Sequence, residues 1–259
     1  MMIRLVAVAM IVLAGTVTSC NRDEQEMARL KVRMMDAPSP FDFDAVYLDI
    51  IRVEVNVEPE DGEGEWIALT TGAGVYDMLT LVNGTDILLA DAEIPAGRIS
   101  QVRLILGDGN TIVVNGTSHH LVIPSGSETG LKVNVHEFIG EGEDLTLMLD
   151  FDAAHSINAQ GNGGYHLKPV MRGVILQRTG TIHGVAVTVF DGGVAVLAEG
   201  SEGVYTTYAD RSSGEFMLRG LPPGTYVVKI YYPDSDQPVV YTNITVSANA
   251  TVELTDTVQ

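Results

Sequence analysis

Val46-Tyr47-Leu48-Asp49-Ile50-Ile51-Arg52-Val53-Glu54-Val55-Asn56-Val57 is the stretch that decides the fold. Its apolar residues run Val46, Leu48, Ile50 and then, one step out of phase, Ile51, Val53, Val55 and Val57. Alternation of period two belongs to a strand with one buried face. The phase change at Ile50-Ile51 predicts a β-bulge, because one extra residue there keeps both halves of the strand facing the same core.

The neighbouring sequence repeats the theme. Thr111–Val114 and Thr117–Ile123 flank Asn115-Gly116, the dipeptide that supplies two positive-φ residues to a tight hairpin. Leu145, Leu147, Leu149 and Phe151 alternate with Thr146, Met148, Asp150 and Asp152, which predicts a half-buried strand with an acidic outer edge. Glu58–Glu65, with Pro59, two glycines and five acids, reads as a loop. No segment sustains helical periodicity, and short β-branched runs are punctuated by Gly, Pro, Asn and Asp throughout, so the chain is all-β.

Composition shifts near Arg178-Thr179-Gly180. Trp66 and most charges precede it, whereas six of the nine tyrosines (205, 208, 226, 231, 232 and 241) follow it. Two domains are expected, 28–177 and 180–257, joined by a very short linker.

The N-terminus reads Met1-Met2-Ile3-Arg4, an apolar run from Leu5 to Gly15, and then Thr16-Val17-Thr18-Ser19-Cys20. A basic start and so brief an apolar run describe a secretory signal. A spanning helix needs about 20 apolar residues. Val17-Thr18-Ser19-Cys20 resembles a lipobox, which implies cleavage of residues 1–19 and lipid attachment at Cys20. Residues 20–27 then form a tether, and several acyl chains hold a protein to a bilayer more firmly than one can. Asn21-Arg22-Asp23-Glu24 lacks an aspartate directly after the cysteine, and its acidic pair resembles an outer-membrane export tag. The expected location is the outer membrane of a Gram-negative bacterium, facing the cell surface. Cys20 is the sole cysteine, so an internal disulfide is excluded and stability rests on burial.

Charge narrows the partners. Removing residues 1–19 takes away Arg4 and no acid, so 15 Lys+Arg become 14 against 34 Asp+Glu, a formal charge of −20. Such a field repels nucleic acid, whose recognition depends on Lys and Arg at phosphates. It suits a soluble surface domain or a divalent cation.

Met35-Asp36-Ala37-Pro38, Trp66-Ile67-Ala68-Leu69, Asp77-Met78-Leu79-Thr80-Leu81-Val82-Asn83-Gly84 and Ile94-Pro95-Ala96-Gly97 stand in order along the first domain. Gly130-Leu131-Lys132, Leu149-Asp150-Phe151-Asp152 and Tyr165-His166-Leu167-Lys168-Pro169-Val170 continue the series. Together these resemble the bacterial family called domain of unknown function 4382, over about residues 28–176. Ile99 departs from the tyrosine that the family tends to carry. The family has no agreed activity, so the resemblance implies a fold and no chemistry. Ser213-Gly214-Glu215-Phe216-Met217-Leu218-Arg219-Gly220-Leu221-Pro222-Pro223-Gly224-Thr225-Tyr226-Val227-Val228 is a strand, a proline-glycine turn and a strand. It is similar to the carboxypeptidase regulatory-like, or transthyretin-like, sandwiches, which implies a carbohydrate-binding-like accessory module. The fold class expected is therefore all-β, with two β-sandwich domains in tandem, Ig-like or prealbumin-like.

Catalytic signals are sparse. Asp150 and Asp152 lie about 6.6 Å apart at two residues of strand rise, too far to share a proton but placed to face one Ca²⁺ from opposite sides. The competing reading has Asp152 capping a turn at Ala153-Ala154-His155, and Asp150 solvated or paired with Lys132 or Lys168. His119 and His120 are adjacent on a strand and point to opposite faces. His136, His155, His166 and His183 follow no metal spacing. Gly-x-Ser-x-Gly is absent, and Gly161-Asn162-Gly163-Gly164 lacks the strand-to-helix setting of a phosphate loop. Tyr231 and Tyr232 alternate, so one faces the core and the other solvent, where a ring can stack on a sugar. The Tyr232–Asp236 loop can hold a cation or be a solvated turn.

The sequence therefore reads as a lipid-anchored envelope protein that binds or adheres without catalysis, with carbohydrate as the leading ligand. A structural or partner-presenting role in an envelope assembly is the alternative, and no cofactor is called for.

Overall fold

The structure is a computed structural model describing residues 26–36, 43–59, 63–69, 72–123, 130–161, 163–186 and 193–254. Cys20, the signal segment and most of the tether lie outside these residues. The first domain contains strands β1 (Met27–Asp36), β2 (Ala45–Glu58), β3 (Glu65–Ala68), β4 (Gly74–Asp77), β5 (Ile87–Pro95), β6 (Gly97–Leu106) and β7 (Thr111–Val114). It continues with β8 (Thr117–Val122), β9 (Leu131–Ile139), β10 (Asp144–Phe151), the single helical turn α1 (Ala153–Ser156), β11 (Ile157–Ala159), β12 (Tyr165–Leu167) and β13 (Met171–Ile175).

One sheet runs β13-β10-β1-β5, and the larger one runs β11-β12-β8-β7-β2-β6-β9, with β3 and β4 also paired to β2. The two sheets share one core. Leu30, Val32, Met34, Leu147 and Leu149 from the smaller sheet join Leu48, Val53, Val55, Val102 and Leu104 from the larger. Each such side chain contributes about 1.5–3 kcal/mol when buried, and the single cysteine means that no internal disulfide adds to it.

The deciding stretch behaves as its pattern requires. The β2–β6 register shifts between Ile50 and Arg52, which leaves Ile51 51 % exposed while Ile50 and Val53 are fully buried. Asn115 and Gly116 take φ of 50° and 70° and close the β7–β8 hairpin. β10 differs in one respect: Met148, expected on the polar face, is fully buried.

Residues Leu176–Arg178 form a 3-10 turn that binds back to the first domain. Arg178 donates to Glu137 Oε2 at 2.5 Å and to the Phe138 carbonyl at 2.6 Å, so the link to the second domain is docked along its length. The second domain contains β14 (Gly180–Val185), β15 (Ala195–Gly200), β16 (Gly203–Tyr208), β17 (Glu215–Leu221), β18 (Gly224–Tyr231), β19 (Val239–Val246) and β20 (Thr251–Leu254). Sheets β17-β14-β20 and β16-β15-β18-β19 enclose a separate core around Ile182, Val196, Phe216, Leu218, Val228 and Ile230. The molecule is thus two β-sandwiches in tandem.

Most neighbouring strands are antiparallel. In each domain, however, the first strand pairs in parallel with a late one: β1 with β10, from Arg29↔Asp144 to Asp36↔Phe151, and β14 with β20, from Thr181↔Thr251 to Gly184↔Leu254. No described helix is long and apolar enough to cross a membrane.

Candidate functional site

Alternation along β1, β10 and β13 sends one set of side chains into the first core and presents the other on the outer face. On β1 the outward set includes Arg33 and Met35, and on β10 it includes Met148 and Asp150. Met35 is only 7 % exposed although it lies outside the first core cluster. The cover comes from the second domain, where β17 alternates core residues Phe216 and Leu218 with half-buried Met217 and Arg219. The Arg219 guanidinium lies 3.9 Å from Met35 Sδ and donates to Asp86 Oδ2 at 3.0 Å, and Asp86 also pairs with Arg33.

Arg172 closes the seam. The β10–β13 register sets it directly opposite Asp150, and its Nε donates to Asp150 Oδ2 at 2.7 Å. Its Nη2 and Nη1 reach across the boundary to the Arg219 and Gly220 carbonyls at 2.8 and 3.3 Å. The guanidinium also lies 5.1 Å from the ring centre of Tyr205, a cation–π contact. Burial pushes the Asp150 carboxyl up from its ordinary value, and the charge of Arg172 and its hydrogen bond oppose that shift. Gly220 has φ of +70°, and a Cβ built on it would sit 2.7 Å from Val174 Cγ2. Glycine here permits both the left-handed turn and the close approach of the domains.

Beside this clamp lies a solvent-open cleft of about 240 Å³, shared by both domains. Asp150, Asp152 and Arg172 supply charge and Thr206 a hydroxyl, and Tyr205 also lines it. Exposed Val170 and Val204 make apolar flanks. The first-domain flank is fixed by α1. Asp152 caps this turn by accepting the His155 amide at 3.0 Å, and it takes the His155 ring Nδ1 at 2.7 Å. Buried Ser156 accepts the Val170 amide at 2.8 Å, and Asp152 N–H donates to the Val170 carbonyl at 3.0 Å. A second space, about 20 Å³, shares Asp150, Arg172 and Thr206 with the cleft and has room for one water.

The two aspartates singled out in the sequence thus reach one cleft, each already engaged. The partner of Asp150 is Arg172 and neither Lys132 nor Lys168. Arg172 meets that carboxylate through Oδ2. Among the described residues no three His, Cys, Asp or Glu side chains converge on a metal position. Tyr231 is 39 % exposed on β18, whereas Tyr232 packs against the second core; neither lines the cleft. His119 lies against Tyr165 with ring centres 5.1 Å apart, and His183 bonds Glu253 at 2.6 Å. Gly161 and Gly163 lie in the turn between β11 and β12.

Sequence reasoning missed Arg172, Tyr205 and Thr206. Arg172 was discoverable only as the cross-strand neighbour of Asp150. Tyr205 carried the ordinary signature of a half-buried strand tyrosine, so nothing distinguished it.

A family model described as domain of unknown function (DUF4382) matches residues 27–169, more than half of the chain. A second, described as polysaccharide lyase family 4, domain II, matches residues 178–254, the tract likened above to the regulatory-like sandwiches. No curated protein matches the chain. Among solved structures the chain is similar to the Bacillus anthracis TIE protein, at 11 % identity and TM-score 0.22, over 87 % of this chain and 33 % of that one. It therefore spans about a third of that protein's length. A Bacteroides ovatus protein classed as an adhesin gives 11 % identity and TM-score 0.22 over 93 % and 95 % of the two chains. BcpA, the major pilin subunit of Bacillus cereus, gives 12 % and 0.20 over 88 % and 69 %. Similarities this distant carry no information about ligands.

Proposed function

Because the chain belongs to the DUF4382 family, and its second domain is similar to a domain of polysaccharide lyases, we propose that it is a non-catalytic binding module of the cell envelope with carbohydrate as its ligand. The observation that carries this reading is the cleft, open to solvent and built by both domains. Clefts at domain boundaries that combine apolar walls with a few polar groups are the usual setting for small ligands. Its carboxylates are held by Arg172 and by the α1 cap, so they serve recognition and do not form an acid–base pair. Anchoring follows from the lipobox-like sequence at Cys20, with the acidic tether directing the protein to the outer membrane and its outer surface.

The test is a glycan array probed with the two-domain chain, residues 21–259, with calcium present and with calcium chelated. Saturable binding to a saccharide is expected; silence across the array sinks the carbohydrate form. One observation favours a second reading, a structural role in an envelope assembly. β19 is an edge strand of its sheet, and Val239 and Val240 on it are 38 % and 49 % exposed. Edges of this kind can pair with another chain, and a copurifying partner lost in Val240→Lys would support that role.

A further inference from the structure

The geometry points to the interdomain cleft, and not the exposed Tyr231, as the saccharide site, and to one ring of a neutral sugar as its occupant. This inference rests on the carbohydrate reading above.

The size comes first. About 240 Å³ is below the roughly 300–1,000 Å³ of sites for drug-sized ligands, which leaves space for a single ring with its neighbours in solvent. Polarity comes second. A pyranose offers hydroxyl edges that both donate and accept, and C–H faces that are apolar. The cleft lining presents both kinds of surface. Asp150 and Asp152 are acceptors, the Thr206 hydroxyl does both, and exposed Val170 and Val204 supply apolar surface. Three of the five N–H groups of Arg172 are engaged at Asp150, Arg219 and Gly220, leaving two as donors.

Charge decides the class. Two carboxylates face one guanidinium, within a chain of formal net charge −19. His155, bonded to Asp152, adds a positive charge only when protonated. Uronate, sulfate or phosphate groups would meet repulsion both at the cleft and from the molecule as a whole. A neutral sugar avoids it. Because Arg172 is already fixed to both domains, the floor is ordered before the ligand arrives, which lowers the cost of binding. Tyr231, by contrast, lines neither described cavity.

The test is isothermal titration of the mature chain in detergent against dextran, xylan and galactomannan, with polygalacturonate as the anionic comparison. Variants are Val204→Glu, which sets a hydrated group against the C–H face, Asp152→Asn, which keeps the helix cap, and Tyr231→Ala. At least one neutral polymer should bind. That affinity should fall about tenfold in each cleft variant at unchanged melting temperature, and persist in Tyr231→Ala. Loss in Tyr231→Ala with both cleft variants intact would overturn the inference while leaving the carbohydrate reading standing. Tighter binding of polygalacturonate than of any neutral polymer would overturn the assignment of class. Failure of all four polymers, together with a silent array, would remove the carbohydrate reading and this inference with it.

Discussion

Arg172 of the first domain donates through Nη2 to the main-chain oxygen of Arg219 in the second, 2.8 Å away, while its Nε holds Asp150 at 2.7 Å. One guanidinium thereby joins a partly buried carboxylate to the neighbouring domain's backbone. Arg172→Ala strands Asp150 and releases the Arg219 and Gly220 carbonyls. Because the Arg172 side chain is 36 % exposed, the loss should stay below that of a fully buried pair, at about 1–3 kcal/mol. Scanning calorimetry should show one cooperative transition in the parent and two in the variant. Adding Asp150→Asn should restore part of the loss by removing the stranded charge. A loss under about 1 kcal/mol in the single variant would contradict the clamp.

Gly220→Ala tests the close approach. The left-handed backbone alone costs a side chain roughly 1–2 kcal/mol, and the new Cβ meets Val174 Cγ2 at 2.7 Å. A urea midpoint should register a total of about 2–3 kcal/mol. Val174→Ala in the same chain should return the steric share only, leaving the backbone cost.

Asp210 should give an acid-side signature. Its carboxyl is held at about 2 by the Ser212 hydroxyl, with the Ser213 amide next in strength. The folded value lies below the ordinary one, so the stabilisation is complete above about pH 4 and fades as pH falls through 2. After allowance for solvent screening it amounts to about 1 kcal/mol. Urea unfolding from pH 5 down to 2.5 should therefore lose more stability in the parent than in Asp210→Asn; parallel curves would refute it.

Tyr226 should give the alkaline counterpart. Its hydroxyl donates to the Pro222 carbonyl at 2.7 Å, and its ring stands edge-on to Tyr205. Burial, followed by the neighbouring Tyr205, pushes its phenol up to about 12. A folded value above the ordinary 10 means full stabilisation below pH 10, lost as pH rises from 10 through 12. Tyr226→Phe should cost about 1 kcal/mol at neutral pH and flatten the decline above pH 10. An unchanged alkaline slope would show that the hydroxyl is not the titrating group.

Cys20→Ser tests the anchor. The wild-type chain should incorporate labelled fatty acid and sediment with membranes, whereas the variant should remain unlabelled and leave the membrane fraction. A variant that still sediments with membranes would require another means of attachment.

Features set by neighbours in the chain were legible beforehand. Ile50-Ile51 announced the bulge, Asn115-Gly116 the hairpin, and Asp152 the cap on α1, because each depends on residues within a few positions. Met148 was not legible. It occupies a polar-face position beside Val174, which Gly220 of the second domain approaches closely, and β10 carries no signal of that neighbour. Asp150 shows the same limit more finely. Its charge called for a cation, but the choice among Lys132, Lys168 and Arg172 is made by the register of β10 against β13, a long-range property. The cleft joins residues around 150, 172 and 205 from three strands, and no spacing along the chain anticipates it.

The parallel pairings impose a timetable on the ribosome's product. β1 is synthesised roughly 115 residues ahead of its β10 partner, and β14 waits for the strand Thr251–Leu254. Each sandwich is thus closed by a strand that arrives long after its opening strand. Neither domain can complete its smaller sheet early, and the chain stays threadable until nearly the whole of each domain has emerged. Deleting Thr251–Leu254 would remove β20 and leave β14 with an open side.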